Sequence, residues 1–191
     1  MRERAMRRLE LHAEMARALV DEQLAGSVER VAALIAQRYQ AGATLLLFGN
    51  GGSAADAQHI ATELTGRYLL DRAPLPALAL ADNTASLTAI GNDFGFEQVF
   101  ARQVRAFGRK GDVAIALSTS GSSANVLAGL AAAREEGLAT VGVTGPRGDL
   151  LAELCDHCIR IPAEQTPQIQ EGTMLVLHTI CELVEHDLFA G

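Results

Sequence analysis

Residues 44–53 read TLLLFGNGGS, and residues 113–123 read VAIALSTSGSS. Each stretch is an apolar run of the length of a buried parallel strand, followed by a loop of glycine and hydroxyl residues. An Ala-rich helical stretch follows each loop. Because the N–H groups at a helix N-terminus bind phosphate well, we expect one loop to hold a phosphate and the other to hold the rest of a polar ligand.

Strand and helix signals alternate along the chain around these two runs. Strands are predicted at 43–48, 76–80, 112–117, 139–143 and 157–161. Helices are predicted at 54–69, at 84–107 with a break near 91–95, and at 122–136, 148–154 and 167–189. Two further helices, at 3–24 and 28–40, precede the first strand, and Ser27 is predicted to cap the second of them.

This order predicts an α/β three-layer sandwich, in which helices cover both faces of a five-stranded parallel sheet. The 191 residues suffice for a single domain, with N-terminal helices at 1–41 and the α/β core and C-terminal helix at 42–191. The N-terminal helical pair is interpreted as a cap on the core, as an oligomer interface, or as both.

Composition argues against several classes of protein. No apolar run approaches the roughly 18 residues that span a membrane, and the N-terminus is charged rather than apolar, so we expect a cytoplasmic protein without membrane contact. A net charge of −7 argues against a nucleic-acid partner. Three cysteines argue against a disulfide framework, and the lone C-x-x-C at 155–158, which leads into a strand, is interpreted as buried structural thiols.

Two predicted helices each carry a pair of polar side chains on one face. His59 and Glu63 are four residues apart, and Gln170 and His178 are eight apart. If these faces meet, two imidazoles, a carboxylate and an amide oxygen could hold a divalent metal such as zinc. Glu63 and His178 could instead transfer protons, and the spacing alone also fits a solvated helix face.

Other patterns have both a functional and a structural interpretation. Residues 49–54, GNGGSA, fit the G-x-G-x-x-A dinucleotide fingerprint, but the required acidic residue is misplaced, since Asp82 comes late and Asp71 lies in a predicted loop. Residues 92–96, NDFGF, predict either a corner between helices or a loop that aims Asn92 or Asp93 at a ligand. The remaining histidines are interpreted as structural or exposed; they are His12, His157 and His186.

Several segments together match a known family in order and spacing. They are residues 49–59, 63–67, 91–96, 118–126 and 169–171, with His178 following. On these segments the chain resembles the sugar isomerase (SIS) domain proteins and, within them, the phosphoheptose isomerases, over nearly its whole length. The resemblance implies a flavodoxin-like SIS fold, an aldose–ketose isomerase, and a homotetramer whose sites are completed by neighbouring subunits.

The resemblance also implies roles for individual residues. Glu63 and His178 would be the catalytic acid/base pair, and Ser118, Thr119, Ser120 and Ser123 would hold the phosphate of the sugar. The full substrate-binding set would be Asn50, Gly51, Gly52, Ser53, Glu63, Asn92, Asp93, Ser118, Thr119, Ser120, Ser123 and Gln170. Family members that carry zinc bind it at the positions of His59, Glu63, Gln170 and His178.

The implied reaction converts sedoheptulose 7-phosphate to D-glycero-D-manno-heptose 7-phosphate through an enediol, with zinc as an expected cofactor. Two positions depart from the family: Gln168 stands where arginine is common, and Ser122 where asparagine is frequent. The alternative is a non-catalytic SIS-domain protein that binds the replication initiator, or a sensor of sugar phosphates. The initiator-binding relatives lack the glutamate and the last-helix histidine, so Glu63 and His178 favour an isomerase.

Overall fold

A computed structural model describes residues 1–190, so that Gly191, the last residue of the predicted domain, lies outside the described residues. The strands are β1 (Leu45–Gly49), β2 (Ala77–Ala79), β3 (Val113–Ser118), β4 (Ala139–Thr144) and β5 (His157–Arg160). The helices are α1 (Arg2–Ala18), α2 (Glu22–Gln40), α3 (Gly52–Thr65), α4 (Thr84–Phe94), α5 (Val99–Phe107), α6 (Ala124–Glu135), α7 (Asp149–Ala152) and α8 (Thr166–Phe189). Within residues 1–190, no helix has both the length and the apolar character needed to cross a bilayer.

The five strands form one parallel sheet in the order β2-β1-β3-β4-β5. Strands β1 and β3 pair in register from Leu45 opposite Val113 to Gly49 opposite Leu117. The strand order reverses between these two strands, and open α/β sheets bind their ligands at such a point. The predicted five-stranded α/β sandwich is confirmed, and the two glycine- and hydroxyl-rich loops leave the sheet side by side.

The sheet divides the apolar core into two parts, because successive side chains of a strand point to opposite faces. Leu45 and Leu47 of β1 pack with buried residues of α2, α3 and α8. Leu46 and Phe48 pack on the other face with buried residues of α5 and α6. Helices α3 and α8, which carry the candidate catalytic residues, therefore lie on the same face of the sheet.

The boundary between the two N-terminal helices was predicted wrongly. Helix α1 ends at Ala18 and α2 begins at Glu22, with Asp21 rather than Ser27 as the N-cap. Asp21 Oδ1 accepts hydrogen bonds from the backbone N–H groups of residues 23 and 24, each at 3.0 Å. Ser27 lies inside α2, where its hydroxyl donates to the carbonyl oxygen of residue 23. The prediction failed for two reasons. A carboxylate caps a helix as well as a hydroxyl does, so Asp21 and Ser27 are equally good candidates. The apolar residues also continue at helical spacing past Ala18, so they give no sign of the break between α1 and α2.

Gly95 breaks the predicted helix at 84–107. Its φ of 88° is a conformation that glycine adopts without strain, and it separates the end of α4 from a 3₁₀ turn at Phe96–Gln98 and from α5. Asn92 and Asp93 therefore lie in the last turn of α4 and not in a loop. The interpretation of this segment as a corner between helices is confirmed.

The cysteines, all within the described residues, are free thiols. Cys155 precedes β5 and Cys158 lies in it, so the C-x-x-C does lead into a strand. Burial raises the pKa of Cys155 to about 12 and also raises the pKa of Cys158. Because the thiolate is the reactive form, the raised pKa of both thiols supports a structural role, but the two side chains are half-buried and not buried as predicted.

A buried ion pair closes the connection between α3 and β2. Arg72 Nε donates to Glu185 Oε1 of α8 at 2.8 Å, and the two side chains are only 1% and 2% exposed. The Glu185 carboxylate also accepts the backbone N–H groups of residues 68–70 at 2.9 to 3.0 Å. The Arg72 guanidinium in turn donates to the carbonyl oxygens of Glu63 and Leu64. The pair therefore fixes the C-terminal end of α3 against α8.

We expect the substitution Glu185→Gln to lower the free energy of unfolding by about 3 kcal/mol at pH 7, because it leaves the buried charge of Arg72 without its partner. Urea denaturation measures this change. The matched control is Glu182→Gln, since Glu182 is exposed on the same helix. The control should change the free energy of unfolding by no more than about 0.5 kcal/mol.

The same pair makes stability depend on pH. Burial raises the pKa of Glu185, but the N–H groups of residues 68–70 and the charge of Arg72 outweigh burial and hold it below its ordinary value of 4.5. The contribution of the ion pair is therefore complete above pH 4.5 and is lost as the pH falls through the folded-state pKa. The difference in the free energy of unfolding between the wild type and Glu185→Gln should therefore narrow as the pH falls below 4.5. A difference that stays constant would contradict the stabilising role of the charged Glu185.

Candidate active site

Helices α3 and α8 bring three potential metal-ligating side chains together. His59 Nε2 lies 3.3 Å from Glu63 Oε1, one turn further along α3. The same nitrogen lies 2.9 Å from His178 Nε2 of α8. Ligand atoms of all three residues lie within 4.8 Å of one another. Helical spacing predicted the shared face of His59 and Glu63, and the packing of α3 on α8 adds His178 to it.

The imidazole of His178 is packed against two other rings. The Tyr68 ring stacks on it, with centroids 5.4 Å apart and planes inclined by 23°. The His59 ring meets it edge-on, with centroids 5.1 Å apart. Tyr68 is itself placed by the hydrogen bond from its backbone N–H to Glu185. The buried ion pair is thus connected to His178 through Tyr68, whose backbone bonds to Glu185 and whose ring stacks on the imidazole.

The chemistry and spacing of this cluster fit a divalent metal such as zinc. Two imidazole nitrogens and a carboxylate oxygen are ordinary zinc ligands, and at bond lengths of about 2.0 to 2.1 Å the ligands of a tetrahedral zinc lie about 3.3 Å apart. The His59–Glu63 separation of 3.3 Å has this value. The two imidazole nitrogens, at 2.9 Å, would have to separate by about 0.4 Å.

Gln170, the fourth predicted ligand, lies two helical turns before His178 on α8. Its amide packs directly against Gly52 at the start of α3, where any side chain at position 52 would overlap the amide nitrogen. Gln170 and His178 both line a cavity of about 530 Å³ between α1, α3 and α8. The structure therefore places Gln170 in the same cavity as His178, at the end nearer to the loop after β1, whereas His59 and Glu63 do not line this cavity.

Asp56 lines the same cavity from α3. Its Oδ2 atom is buried and has no hydrogen-bond partner within residues 1–190. Burial raises the pKa of its carboxyl group, and the neighbouring His59 opposes that rise. A carboxyl group placed in this way can exchange a hydrogen bond with a hydroxyl group of a ligand.

The loops after β1 and β3 are tied together by two side-chain amides. Asn50 and Asn125 exchange two hydrogen bonds, each 2.8 Å long. Asn125 is 3% exposed and lies in the first turn of α6. The backbone N–H of Ser53 also donates to the Asn50 carbonyl at 3.0 Å, which closes the turn into α3. The two loops are therefore held together at the carboxyl ends of β1 and β3.

The loop after β3 gathers hydroxyl groups at the N-terminus of α6. Ser118 Oγ lies 3.3 Å from Ser123 Oγ and accepts the backbone N–H of Gly121 at 3.1 Å. Ser120 Oγ accepts hydrogen bonds from the backbone N–H and the hydroxyl of Ser122. Ser123 is the N-cap residue of α6, yet its side chain makes no capping hydrogen bond. This arrangement of hydroxyls and helix N–H groups is suited to an anion.

Asn92 and Asp93 do not join the cluster of His59, Glu63 and His178. Both are exposed at the end of α4, where Asn92 Nδ2 donates to Asp93 Oδ1 at 2.8 Å. Neither lines the cavity that contains Gln170 and His178. Their assignment to the hydroxyl groups of a ligand stays a prediction.

Sequence reasoning missed four side chains that the structure places at the cleft. Asn125 pairs with a residue 75 positions away, and no spacing rule predicts such a contact. Asp56 and Tyr68 gave no signal beyond their nearness in sequence to His59 and Glu63. His12 was interpreted as structural or exposed, whereas it lines the cavity, and its Nδ1 contacts the carboxylate of Glu171.

Gln168, which stands where the family commonly has arginine, joins two helices. It is 8% exposed, and its Nε2 donates to the carbonyl oxygen of Leu11 in α1 at 3.0 Å. The side chain therefore ties the start of α8 to the middle of α1.

Known proteins match the chain in both sequence and fold. Residues 12–145 match the SIS domain. The chain is 55% identical to the phosphoheptose isomerase of Rhodospirillum rubrum over 164 residues, which cover 86% of this chain and 87% of that protein. The solved phosphoheptose isomerase of Neisseria gonorrhoeae matches with a TM-score of 0.89 and 38% identity, over 96% of this chain and 98% of that one. The enzyme of Francisella tularensis matches with a TM-score of 0.92 and 29% identity, over 96% and 97%. The chain is therefore an isomerase that belongs to the SIS domain family and, within it, to the phosphoheptose isomerases.

Proposed function

We propose that this isomerase interconverts sedoheptulose 7-phosphate and D-glycero-D-manno-heptose 7-phosphate. The single observation that carries the proposal is the cluster of His59, Glu63 and His178, which brings a carboxylate and two imidazoles that can transfer protons within 4.8 Å of one another. The names of the related phosphoheptose isomerases support a phosphorylated heptose as substrate. The adjacent positions of Glu63 and His178 also favour catalysis over the alternative of an initiator-binding protein, whose members lack both residues.

The phosphate group is assigned to the loop after β3. Ser118, Thr119, Ser120 and Ser123 would hold it together with the N–H groups at the start of α6. The sequence has one lysine and a net charge of −7, so dipoles and hydroxyls carry much of the binding. Along the sugar, the proposed contacts are Asn50, Gly51, Gly52, Ser53, Gln170, Asn92 and Asp93.

The length of the cleft suits an open-chain sugar phosphate. Gly52 begins α3 beside the phosphate loop, and His59 lies seven residues further along the helix, or about 10 Å at the usual helical rise. On α8, Gln170 lies beside Gly52 at one end of this distance, and His178 lies beside His59 at the other end. The phosphate therefore binds at one end of the cleft, and the carbonyl group reaches the acid/base cluster at the other.

Glu63 and His178 carry the proton transfers in the proposed mechanism. The Glu63 carboxylate removes the proton from the carbon next to the carbonyl, which gives an enediol. The His178 imidazole moves the proton between the two oxygens of that enediol, and Glu63 returns the proton to the neighbouring carbon. Binding of the phosphate at the far end of the cleft holds the reacting carbons at a fixed place between the two groups.

Zinc is the proposed cofactor, and His59, Glu63, Gln170 and His178 would hold it. When bound, zinc supplies Lewis-acid polarisation of the carbonyl oxygen. Both acid/base groups have two donor atoms: Glu63 would give one carboxylate oxygen to the metal and keep the other for the proton, and His178 would give one ring nitrogen to the metal and keep the other for proton transfer.

We also propose a homotetramer. Large apolar side chains are exposed at the end of α4 and of α5, where Phe94 is 52%, Phe96 59% and Phe107 51% exposed. On α1, Met6 and Leu9 are 54% and 70% exposed. Large exposed apolar side chains of this kind are expected to be covered when the subunits associate. Sedimentation equilibrium should give four times the mass of one chain, and the mass of a monomer would contradict the proposal.

Glu63→Gln should abolish turnover of sedoheptulose 7-phosphate while leaving the fold intact, because the amide cannot accept the proton. Turnover is measured by chromatographic separation of derivatised ketose and aldose phosphates, which have equal mass. The matched control Glu182→Gln removes a carboxylate from the exposed side of α8 and should keep full activity. An active Glu63→Gln enzyme would refute the assignment of the base.

Removal of zinc by a chelator should lower turnover, and added zinc should restore it. Independently of activity, His59→Ala should reduce the zinc bound per chain as measured by mass spectrometry of the metal, whereas His186→Ala, an exposed histidine of α8, should not. Full turnover after proven removal of the metal would contradict the role of zinc and leave Glu63 and His178 as a plain acid and base.

A further inference from the structure

Helix α1 contributes one imidazole to the cavity beside the acid/base cluster. The His12 side chain is 24% exposed and lines the cavity of about 530 Å³ that Gln170 and His178 also line. Most of the other lining side chains are apolar, among them Met15, Met174 and Leu175. A polar ring in such a wall is a candidate for recognition of a ligand, because an unpaired polar group is costly in apolar surroundings.

Glu171 lies against one edge of the His12 ring. Its carboxylate contacts Nδ1, which is buried and makes no hydrogen bond within residues 1–190. The other ring nitrogen, Nε2, is not among the buried polar atoms that lack a partner. Nδ1 is therefore covered by the protein, and Nε2 is the ring nitrogen that a ligand can reach.

Along the cleft, His12 lies between the end near Gly52 and the end that carries the acid/base cluster. On α8, Glu171 directly follows Gln170 and lies seven residues before His178. Asp56 faces the same space from α3, four residues after Gly52 and three before His59. A sugar chain that runs from the phosphate loop to the acid/base cluster therefore passes the His12 ring with its middle carbons.

Helix α1 is fixed closely enough for this contact. Met15 is 4% exposed and packs on the α8 backbone, where a side chain at Gly172 would lie 2.9 Å from its sulfur atom. The Leu11 carbonyl accepts a hydrogen bond from Gln168 at 3.0 Å. These contacts lie on both sides of His12 in the sequence, so they set the height of its ring above α8.

We propose that His12 is a specificity-determining residue whose Nε2 atom binds a hydroxyl group of the middle carbons of the sugar phosphate. The inference rests on the proposed function for the identity of the sugar and deepens it. In this assignment the core of the protein supplies the chemistry and the phosphate site, while α1 supplies recognition of the hydroxylated chain. His12 takes no part in proton transfer.

The kinetic test compares the wild type with His12→Ala. Loss of one hydrogen bond should raise KM for sedoheptulose 7-phosphate about tenfold and leave kcat within about twofold. His12→Gln, whose amide can still bond a hydroxyl, should recover most of the affinity. His186→Ala is the matched control and should change neither constant. An unchanged KM in His12→Ala, or a loss of kcat alone, would overturn the inference.

A binding measurement separates this inference from the proposed reaction. Calorimetry with sedoheptulose 7-phosphate in the Glu63→Gln background should show a Kd about tenfold higher when His12→Ala is added. With inorganic phosphate as the probe, Kd should stay the same, because phosphate binds at the loop after β3. An equal loss for both probes, or a change in the mass of the assembly, would show that His12 only supports the fold and would overturn the inference.

Turnover and binding by the wild type distinguish a failure of the proposed reaction from a failure of the proposed role of His12. If the wild type does not turn the sugar over but His12→Ala still weakens its binding, the proposed reaction fails and the role of His12 stands. If the wild type turns the sugar over and His12→Ala binds it normally, the reaction stands and the role of His12 fails. If no variant binds the sugar, both are refuted.

Discussion

The buried ion pair between Arg72 and Glu185 is the contact on which the geometry of the candidate site depends. It connects the carbonyl oxygens at the end of α3 to a side chain of α8, and it orders the backbone that places Tyr68 on His178. Sliding one helix past the other would expose a buried charge and break three backbone hydrogen bonds at once. The cluster on these two helices is therefore held by a contact outside the cleft.

The sheet provides the second constraint. Because β1 and β3 are parallel neighbours, the loops that follow them leave the same edge of the sheet together, and the paired amides of Asn50 and Asn125 join them. Helix α3 then runs from this edge to the acid/base cluster. One helix thus links an anion-binding end, built from dipoles and hydroxyls, to a proton-transfer end, built from imidazole and carboxylate groups.

Helix α1 is attached to the rest of the fold by fewer contacts than the sheet and the helices α3 and α8. Met15 is its only buried residue, and polar contacts at Arg8, Leu11 and His12 also attach it to α8 or to the N-cap residue of α8. Gln168, a departure from the family's usual arginine, makes one of those contacts. The helix lines one wall of the cavity, and Met15 is the one residue by which it joins the apolar core. Its other residues can therefore adjust recognition of a ligand with little effect on the stability of the sheet.

Local sequence patterns predicted much of the fold, because strands and helix breaks depend on residues that are close together in the sequence. The apolar runs at 44–48 and 113–117 are buried strands, and Gly95 breaks the helix where glycine and Asx residues predicted a corner. The N-cap of α2 was missed, because Asp21 and Ser27 are both good caps and apolar spacing alone does not separate them.

The sequence by itself determined the strand and helix order, the two loops, and the shared faces of His59 with Glu63 and of Gln170 with His178. All of these follow from periodicity within a few residues. Only the tertiary structure decided that the two faces meet, that Asn50 pairs with Asn125, and that His12 enters the cleft. Such contacts join residues 75 to 159 positions apart, and packing of whole helices, rather than any local preference, sets them.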